Sequence, residues 1–320
     1  MLTYRIGTKD LAARVSPFGA TLVDLRLRGW EHPLVLGFDR HDDYALTDHY
    51  AGAVIGRHAN RIAGGRAEID GQVIQLPTNS GGHHLHGGAT GLARQSWEVV
   101  DAQPGALVLH AHSADGHEGY PGNCDFQVRY EVADQMTLRL TFEAKTDRAT
   151  LVNLCHHPYF NFSGRPDIRD HRVQINADSY LVSGNDLVPT GEVRAVTGTA
   201  FDFREEREIG PGRPMPGFNH NFCLADHARP EVAYAARLSV PGGPAMELWT
   251  TQPGVHLYSG YKLEPGQRGL EGREYGPDSG VCLEAQNWPD SPNHPAFPSA
   301  LLRAGETYHQ VTEYRFMLPA

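Results

Sequence analysis

Histidine is the side chain whose charge changes nearest neutral pH, and this chain carries 18 of them. Many are clustered. "GGHHLHGG" brings His83, His84 and His86 together, "LHAHS" His110 and His112, "CHHPYF" His156 and His157, and "FNHNF" adds His220. The carboxylate best placed to work with them is Glu284, in "GVCLEAQNWPDSPNHPAFPS". It follows the apolar run Val281-Cys282-Leu283, which reads as a strand. A glutamate at the inner end of such a strand is partly desolvated, which raises its pKa and makes it a stronger base. The bland reading of the same residue is a strand-end carboxylate in water.

Two chemistries suit these residue types. In the first, His84-x-His86 on a strand presents two imidazoles on one face, with Glu284 or a later histidine as third ligand of a metal. An HxH pair without a third ligand at fixed spacing is more often the lining of a polar pocket. In the second, no metal is involved: a cleft histidine donates a proton near pH 7 and a carboxylate takes one.

The elements that must position these groups are strands. In "TLVDLRLRG", Val23, Leu25 and Leu27 share one parity and Asp24 and Arg26 the other. In "MTLRLTFEA", Met136, Leu138, Leu140 and Phe142 alternate with polar neighbours. Such alternation predicts strands with one wet face. "RAEIDGQVIQL" reads as a hairpin turning at Asp70-Gly71, a pair suited to a type I′ turn. No long window keeps an apolar stripe at helical spacing. The chain therefore reads as all-β, a large antiparallel sandwich with few short helices, organised as a single domain over residues 1–320. The Gly/Pro-rich part from Pro211 to Gly217 reads as a loop inside it.

Composition narrows the function classes. Net charge is −10, from 28 basic and 38 acidic residues, which argues against a general nucleic-acid binder. No window approaches the roughly 20 apolar residues of a membrane span. The N-terminal "MLTYRIGTKDLAARVS" has no basic segment followed by an apolar run, so no signal peptide is expected. Cys124, Cys155, Cys223 and Cys282 lie far apart without a CxxC pair. Free buried thiols in a reducing cytoplasm are expected, and not a zinc knuckle or disulfide framework.

Taken together, "GRHANRI" (Gly56 to Ile62), "HLHGG" (His84 to Gly88), "NLCHHPYFNF" (Asn153 to Phe162), "FDFR" (Phe201 to Arg204), "GFNHNFCL" (Gly217 to Leu224), "QPGVHLYSG" (Gln252 to Gly260) and "LEAQNWPDSPNHPAFPSALLRAGE" (Leu283 to Glu306) resemble the aldose 1-epimerase (galactose mutarotase) family in order and rough spacing. The resemblance spans nearly the whole chain. It implies a large antiparallel β-sandwich with an open sugar cleft, and interconversion of the α and β anomers of free aldoses without metal or organic cofactor. It implies a monosaccharide as partner, with no nucleic acid or membrane, a cytoplasmic location, and a monomer or homodimer.

Residue by residue, the resemblance implies Glu284 as general base on the C1 hydroxyl and His157 as general acid on the ring oxygen. The family's catalytic histidine stands two residues before a Tyr-Phe-Asn that is here Tyr159 to Asn161, which selects His157 over His156. On a strand the two adjacent histidines face opposite ways, so His156 is expected to be a polar packing residue. Arg61 and His86 match substrate-binding positions, and Asn60 stands beside them as a weaker candidate that could simply close an Asx turn. Trp288 is either a sugar-stacking ring or packing. Asp202 is expected to order a turn.

Two positions depart from the family pattern. Better-known members carry "DHNF", and the position of that Asp is Asn219 here; a second sugar-contacting position, often Gln, is His256. A carboxylate that only accepts becomes an amide that also donates. The acid–base pair is kept while hydroxyl-reading positions change, so the preferred sugar is expected to differ from galactose. Competing readings are a metal-dependent, cupin-like sugar isomerase, a catalytically idle carbohydrate-binding protein on the same fold, and a relative acting on sugar phosphates.

Overall fold

The computed structural model describes residues 2–134 and 136–319. Two large antiparallel sheets dominate it. The first has nine strands, with Ala245–Thr250, Tyr308–Met317, Thr137–Thr146, Cys124–Ala133 and Ala106–Ser113 as consecutive neighbours towards one end. The second has five, in the order Pro189–Ala195, Ser179–Ser183, Asn219–Cys223, Gly254–Tyr258 and Cys282–Gln286. A separate three-stranded sheet is formed by Tyr4–Gly7, Leu11–Ser16 and Thr21–Leu27. One apolar cluster draws on all three, including Leu25, Phe142 and Tyr314 with Val255, Leu257 and Leu283. Among the described residues the only α-helix is Asp42–Ala45, beside five 3₁₀ turns. The sandwich with few short helices is therefore what the alternation implied.

The alternating runs behave as strands, with one revision. Leu138, Leu140 and Phe142 are buried while Arg139, Thr141 and Glu143 are half-buried. Asp70 and Gly71 both take positive φ, 51° and 79°, between the paired strands Arg66–Ile69 and Gln72–Gln75. That is the left-handed pair a type I′ turn requires. Val23, however, does not share a core with Leu25 and Leu27. The ladder between Leu11–Ser16 and Thr21–Leu27 shifts register at Arg14/Val15, a bulge that sends Val23 to a separate cluster with Leu36 and Tyr159. An extra residue in one strand reverses parity beyond it. The segment from Pro211 to Gly217 is a loop.

The five-stranded sheet positions the candidate residues. Its two faces are chemically opposite along three adjacent strands. Phe222, Val255, Leu257 and Leu283 point into the main core. The residues between them, Asn219, Asn221, His256, Tyr258, Cys282 and Glu284, lie on the other face by the period of two. The register pairs Asn219 with Tyr258 and Tyr258 with Cys282, and Asn221 with His256 and His256 with Glu284. A polar patch thus backs directly onto the core. The segment holding His157 is stitched alongside: Phe160 and Val281 exchange backbone hydrogen bonds at 2.8 and 3.0 Å, and Cys155–His156 pairs with Val54–Ile55.

Substitutions on the two faces should differ in kind. Leu283→Ala opens a cavity in the core and is expected to cost about 2–5 kcal/mol. Glu284→Gln, one residue on, removes only a buried ionisable group and should leave the urea midpoint unchanged or raised. Equilibrium unfolding of both variants measures this.

Candidate active site

The residues singled out in the sequence converge on one cavity of about 770 Å³. Glu284, His157 and His256 form its floor; Arg61, His86, Asn60 and Asn219 are also in its wall. Each is held by a local device. Arg61–Ile62 pairs with His84–Leu85 in a two-residue ladder. Asn60 and His86, side by side at one end of it, have φ of 61° and 54°, the left-handed region that Asn and His tolerate better than most residues. The backbone N–H of Asn60 donates to His86 Nδ1 at 3.2 Å, and that of Arg61 to Asn60 Oδ1 at 2.9 Å. The first bond leaves the proton of a neutral His86 on Nε2. The second fixes the Asn60 side chain against the next residue, without the Asx turn expected of it, and aims its Nδ2 at His256 Nδ1, 3.4 Å away.

Glu284 is 2% exposed. Its Oε1 lies 3.5 Å from His157 Nε2, and the Cys155 thiol donates to Oε2 across 3.8 Å. Burial is the main reason its pKa rises from 4.5 to about 8, against smaller lowering effects of the Cys155 bond and the Arg61 charge. His157 shifts the other way, from 6.5 to about 4, again chiefly through burial. Desolvation penalises the charged form of each. The pair therefore holds two protons below about pH 4, one between, and none above about pH 8. A single-proton pair has one member to give and one to take. His157 is packed between rings, 5.1 Å from Tyr159 and 5.5 Å from His86 between centroids, and its Nδ1 lies 3.6 Å from the Cys282 sulfur.

His156 is turned away, as strand geometry implied. Its Nδ1 meets the Tyr314 hydroxyl at 3.2 Å and its Nε2 the Gly52 carbonyl at 3.1 Å. Burial brings its pKa to about 3, so it is a neutral packing group. Trp288 is packing too: it sits with Leu181 and Phe297 in an apolar cluster, and its indole N–H donates to the Pro253 carbonyl at 3.0 Å. Asp202 holds Arg204 two residues on.

The HxH metal pair does not form. The strand ends at Leu85 and His86 turns left-handed, so the imidazoles do not share a face. His84 is occupied instead, its Nδ1 on the Pro77 carbonyl at 2.7 Å and its Nε2 on the Tyr120 hydroxyl at 2.8 Å. Another donor set is close: ligand atoms of His157, Cys282 and Glu284 lie within 4.8 Å of one another. There the thiol and the carboxyl contact opposite ring nitrogens. That arrangement orients an imidazole better than it closes three bonds on one ion. Burial also keeps the Cys282 thiol protonated.

Several wall residues were not anticipated. Tyr159 and Tyr258 line the cavity, and each stands two residues from a candidate histidine, the spacing that could have found them. Tyr50 and Lys262 come from irregular segments, where no periodicity announces them.

Aldose 1-epimerase is the family description that matches, over residues 2–315. The chain belongs to the aldose 1-epimerase family. It is 40% identical to the galactose mutarotase of Mus musculus over 322 residues, covering 98% of this chain and 93% of that one. It is 33% identical to the aldose 1-epimerase of Escherichia coli, over 99% and 95% of the two chains. A solved aldose epimerase homologue from C. elegans superposes with a TM-score of 0.93 at 30% identity, covering 100% of this chain and 99% of that one. Among the described residues, no helix of this family member is long and apolar enough to cross a membrane.

The raised pKa of Glu284 is directly measurable. Carboxyl ¹³C NMR of glutamate-labelled protein should show one resonance titrating near pH 8, absent in Glu284→Gln. A Glu284 carboxyl that titrates in the ordinary range would remove the basis for its role.

Proposed function

We propose that this protein is a mutarotase, an aldose 1-epimerase that interconverts the α and β anomers of a free aldose through its open-chain form. The observation that carries the reading is the 3.5 Å contact between two buried groups, Glu284 and His157, whose pKa values burial drives in opposite directions at the floor of a sugar-sized cavity. The family membership and the relatives' names support it.

Between about pH 4 and pH 8 the pair's single proton rests on Glu284, and the reactive form is the tautomer in which that proton has moved across the 3.5 Å contact to His157. Glu284 takes the proton from the C1 hydroxyl while His157 Nε2–H gives its own to the ring oxygen. The C1–O5 bond breaks, C1 becomes an aldehyde, and rotation about C1–C2 presents its other face. On closure O5 attacks C1, His157 takes back the proton from O5, and Glu284 returns one to the new C1 hydroxyl. No electrons leave the sugar and the pair ends as it began. Arg61 adds a fixed positive charge. Its guanidinium is buried and forms no hydrogen bond or ion pair among the described residues, so it is free to hold sugar oxygens. His86 offers its Nε2–H in the same way.

The reading makes the two histidines separable. His157→Asn and Glu284→Gln should each lower kcat for mutarotation by about 10²–10⁴-fold. His156→Asn should keep kcat, because its partners are Tyr314 and Gly52. Polarimetry on freshly dissolved pure anomers measures all three, and a wild-type rate in Glu284→Gln would end the mechanism. Chelator should leave the wild-type rate unchanged.

The pH dependence follows from the proton count. Activity requires the single-proton pair, so kcat/KM should be bell-shaped. It falls on the acid side near pH 4 as His157 takes a second proton without Glu284 losing its own, and on the alkaline side near pH 8 as the last proton leaves. A rate flat from pH 5 to pH 10, after subtraction of the spontaneous rate, would contradict it.

A further inference from the structure

Around Asn219 and His256 the hydrogen bonds have a forced direction. A backbone N–H, whose polarity is fixed, sets that direction. The N–H of Arg61 donates to Asn60 Oδ1 at 2.9 Å, so the atom that Asn60 turns to His256 is its amide nitrogen. Asn60 Nδ2 lies 3.4 Å from His256 Nδ1. An NH₂ group can only donate, so Nδ1 accepts and carries no proton. His256 is then the Nε2–H tautomer. Burial, reinforced by the charges of His220, Arg61 and His157, holds its pKa well below 6.5 and keeps it neutral. That Nε2–H donates to Asn219 Oδ1 at 2.7 Å. With its oxygen engaged, Asn219 has only its NH₂ left. No hydrogen bond of that NH₂ occurs among the described residues, and Asn219 lines the cavity.

We infer that the Asn60–His256–Asn219 chain makes Asn219 a donor-only contact, so this subsite binds the sugar group that faces it as a hydrogen-bond acceptor. An aspartate at that position works in the opposite sense. A carboxylate only accepts, so it requires a sugar hydroxyl that donates. The exchange therefore inverts the polarity of one hydroxyl-reading contact and leaves the size of the side chain unchanged. The groups around it point the same way: the unpaired Arg61 guanidinium and the His86 Nε2–H are donors as well. The ligand class that follows is an aldose carrying, at the position facing Asn219, a group that can accept whether or not it can donate: a hydroxyl, an ether, a fluorine or a carboxylate.

The inference takes its ligand, an aldose, from the mutarotase reading, but it does not depend on turnover. Binding is therefore the readout. The probes are the 2-, 3-, 4- and 6-deoxyfluoro derivatives of D-galactose and D-glucose and the matching deoxy sugars, titrated calorimetrically into wild-type protein and Asn219→Asp. A C–F group accepts weakly and cannot donate, while C–H does neither. At one ring position the fluoro sugar should bind wild type about tenfold tighter than the deoxy sugar, the size of one hydrogen bond, and in Asn219→Asp that advantage should vanish. Fluoro sugars that bind wild type no better than deoxy sugars at every position overturn the inference, whether or not the variant folds. So does an equal fluoro advantage in both proteins, or failure of wild type to bind any of the panel. Sugars that bind with the expected pattern but are not interconverted would leave the inference standing and sink the mutarotase reading.

Discussion

The uncharged carboxyl of Glu284 is the constraint from which the rest of the site follows. Each pH unit above its ordinary 4.5 at which a carboxyl is kept protonated disfavours the fold by about 1.4 kcal/mol, so at pH 7 the burial costs roughly 3 kcal/mol. The sheet that carries it supplies the compensation on its reverse face. Phe222, Val255, Leu257 and Leu283 are each at most 1% exposed, and full burial of one such side chain contributes about 1.5–3 kcal/mol. Two of them offset the cost. A period of two, repeated in register across three strands, thus makes one surface both a core wall and a desolvated catalytic floor.

The same constraint explains what surrounds the carboxyl. A cation in direct contact would pull its pKa back down, and Arg61 stays outside ion-pair distance while still lowering it slightly. The nearest groups are instead a thiol, an imidazole and aromatic rings. Cys155 and Cys282 are held as protonated thiols by burial, so neither competes with Glu284 as a base. A thiol is also a weak donor, which touches the carboxyl without stabilising its charge as a backbone N–H or a guanidinium would.

Much of this was legible in the sequence, and the boundary of what was legible has a physical cause. Strand alternation placed Leu138, Leu140 and Phe142 in the core, and Asp70-Gly71 marked its hairpin because both residues suit left-handed φ. Glu284, His86 and His157 stood out by residue type, motif resemblance supplied the rest of the seven candidates, and all seven meet in one cavity. Parity failed where strands are short or irregular. Val23 was displaced by a bulge that no local pattern reveals. His84 and His86 were separated because a two-residue strand ends between them. Tyr50 and Lys262 reach the site from irregular segments, where neither period nor motif applies. The pairing of His256 with Glu284 is a long-range register, and only the folded sheet defines it.

That register bears on how catalysis and sugar reading can change independently. The proposed proton-transfer end is fixed by the segment around His157 and by Glu284. The proposed hydroxyl-reading end is fixed by Asn60, His256 and Asn219, on a loop turn and two other strands. The two ends share a wall through His256 and Glu284, yet His256 spends both ring nitrogens on the two asparagines and has none left for the carboxyl. It is neutral, so it adds no charge that would disturb the acid–base pair. A glutamine facing the same Asn60 NH₂ would likewise have to accept there and donate onward. The imidazole, with one nitrogen forced to accept and the other forced to donate, transmits the polarity of a backbone N–H through three side chains to the sugar. The direction is set at Asn60, and an asparagine at position 219, which can accept from His256 and still donate, is the partner that direction requires.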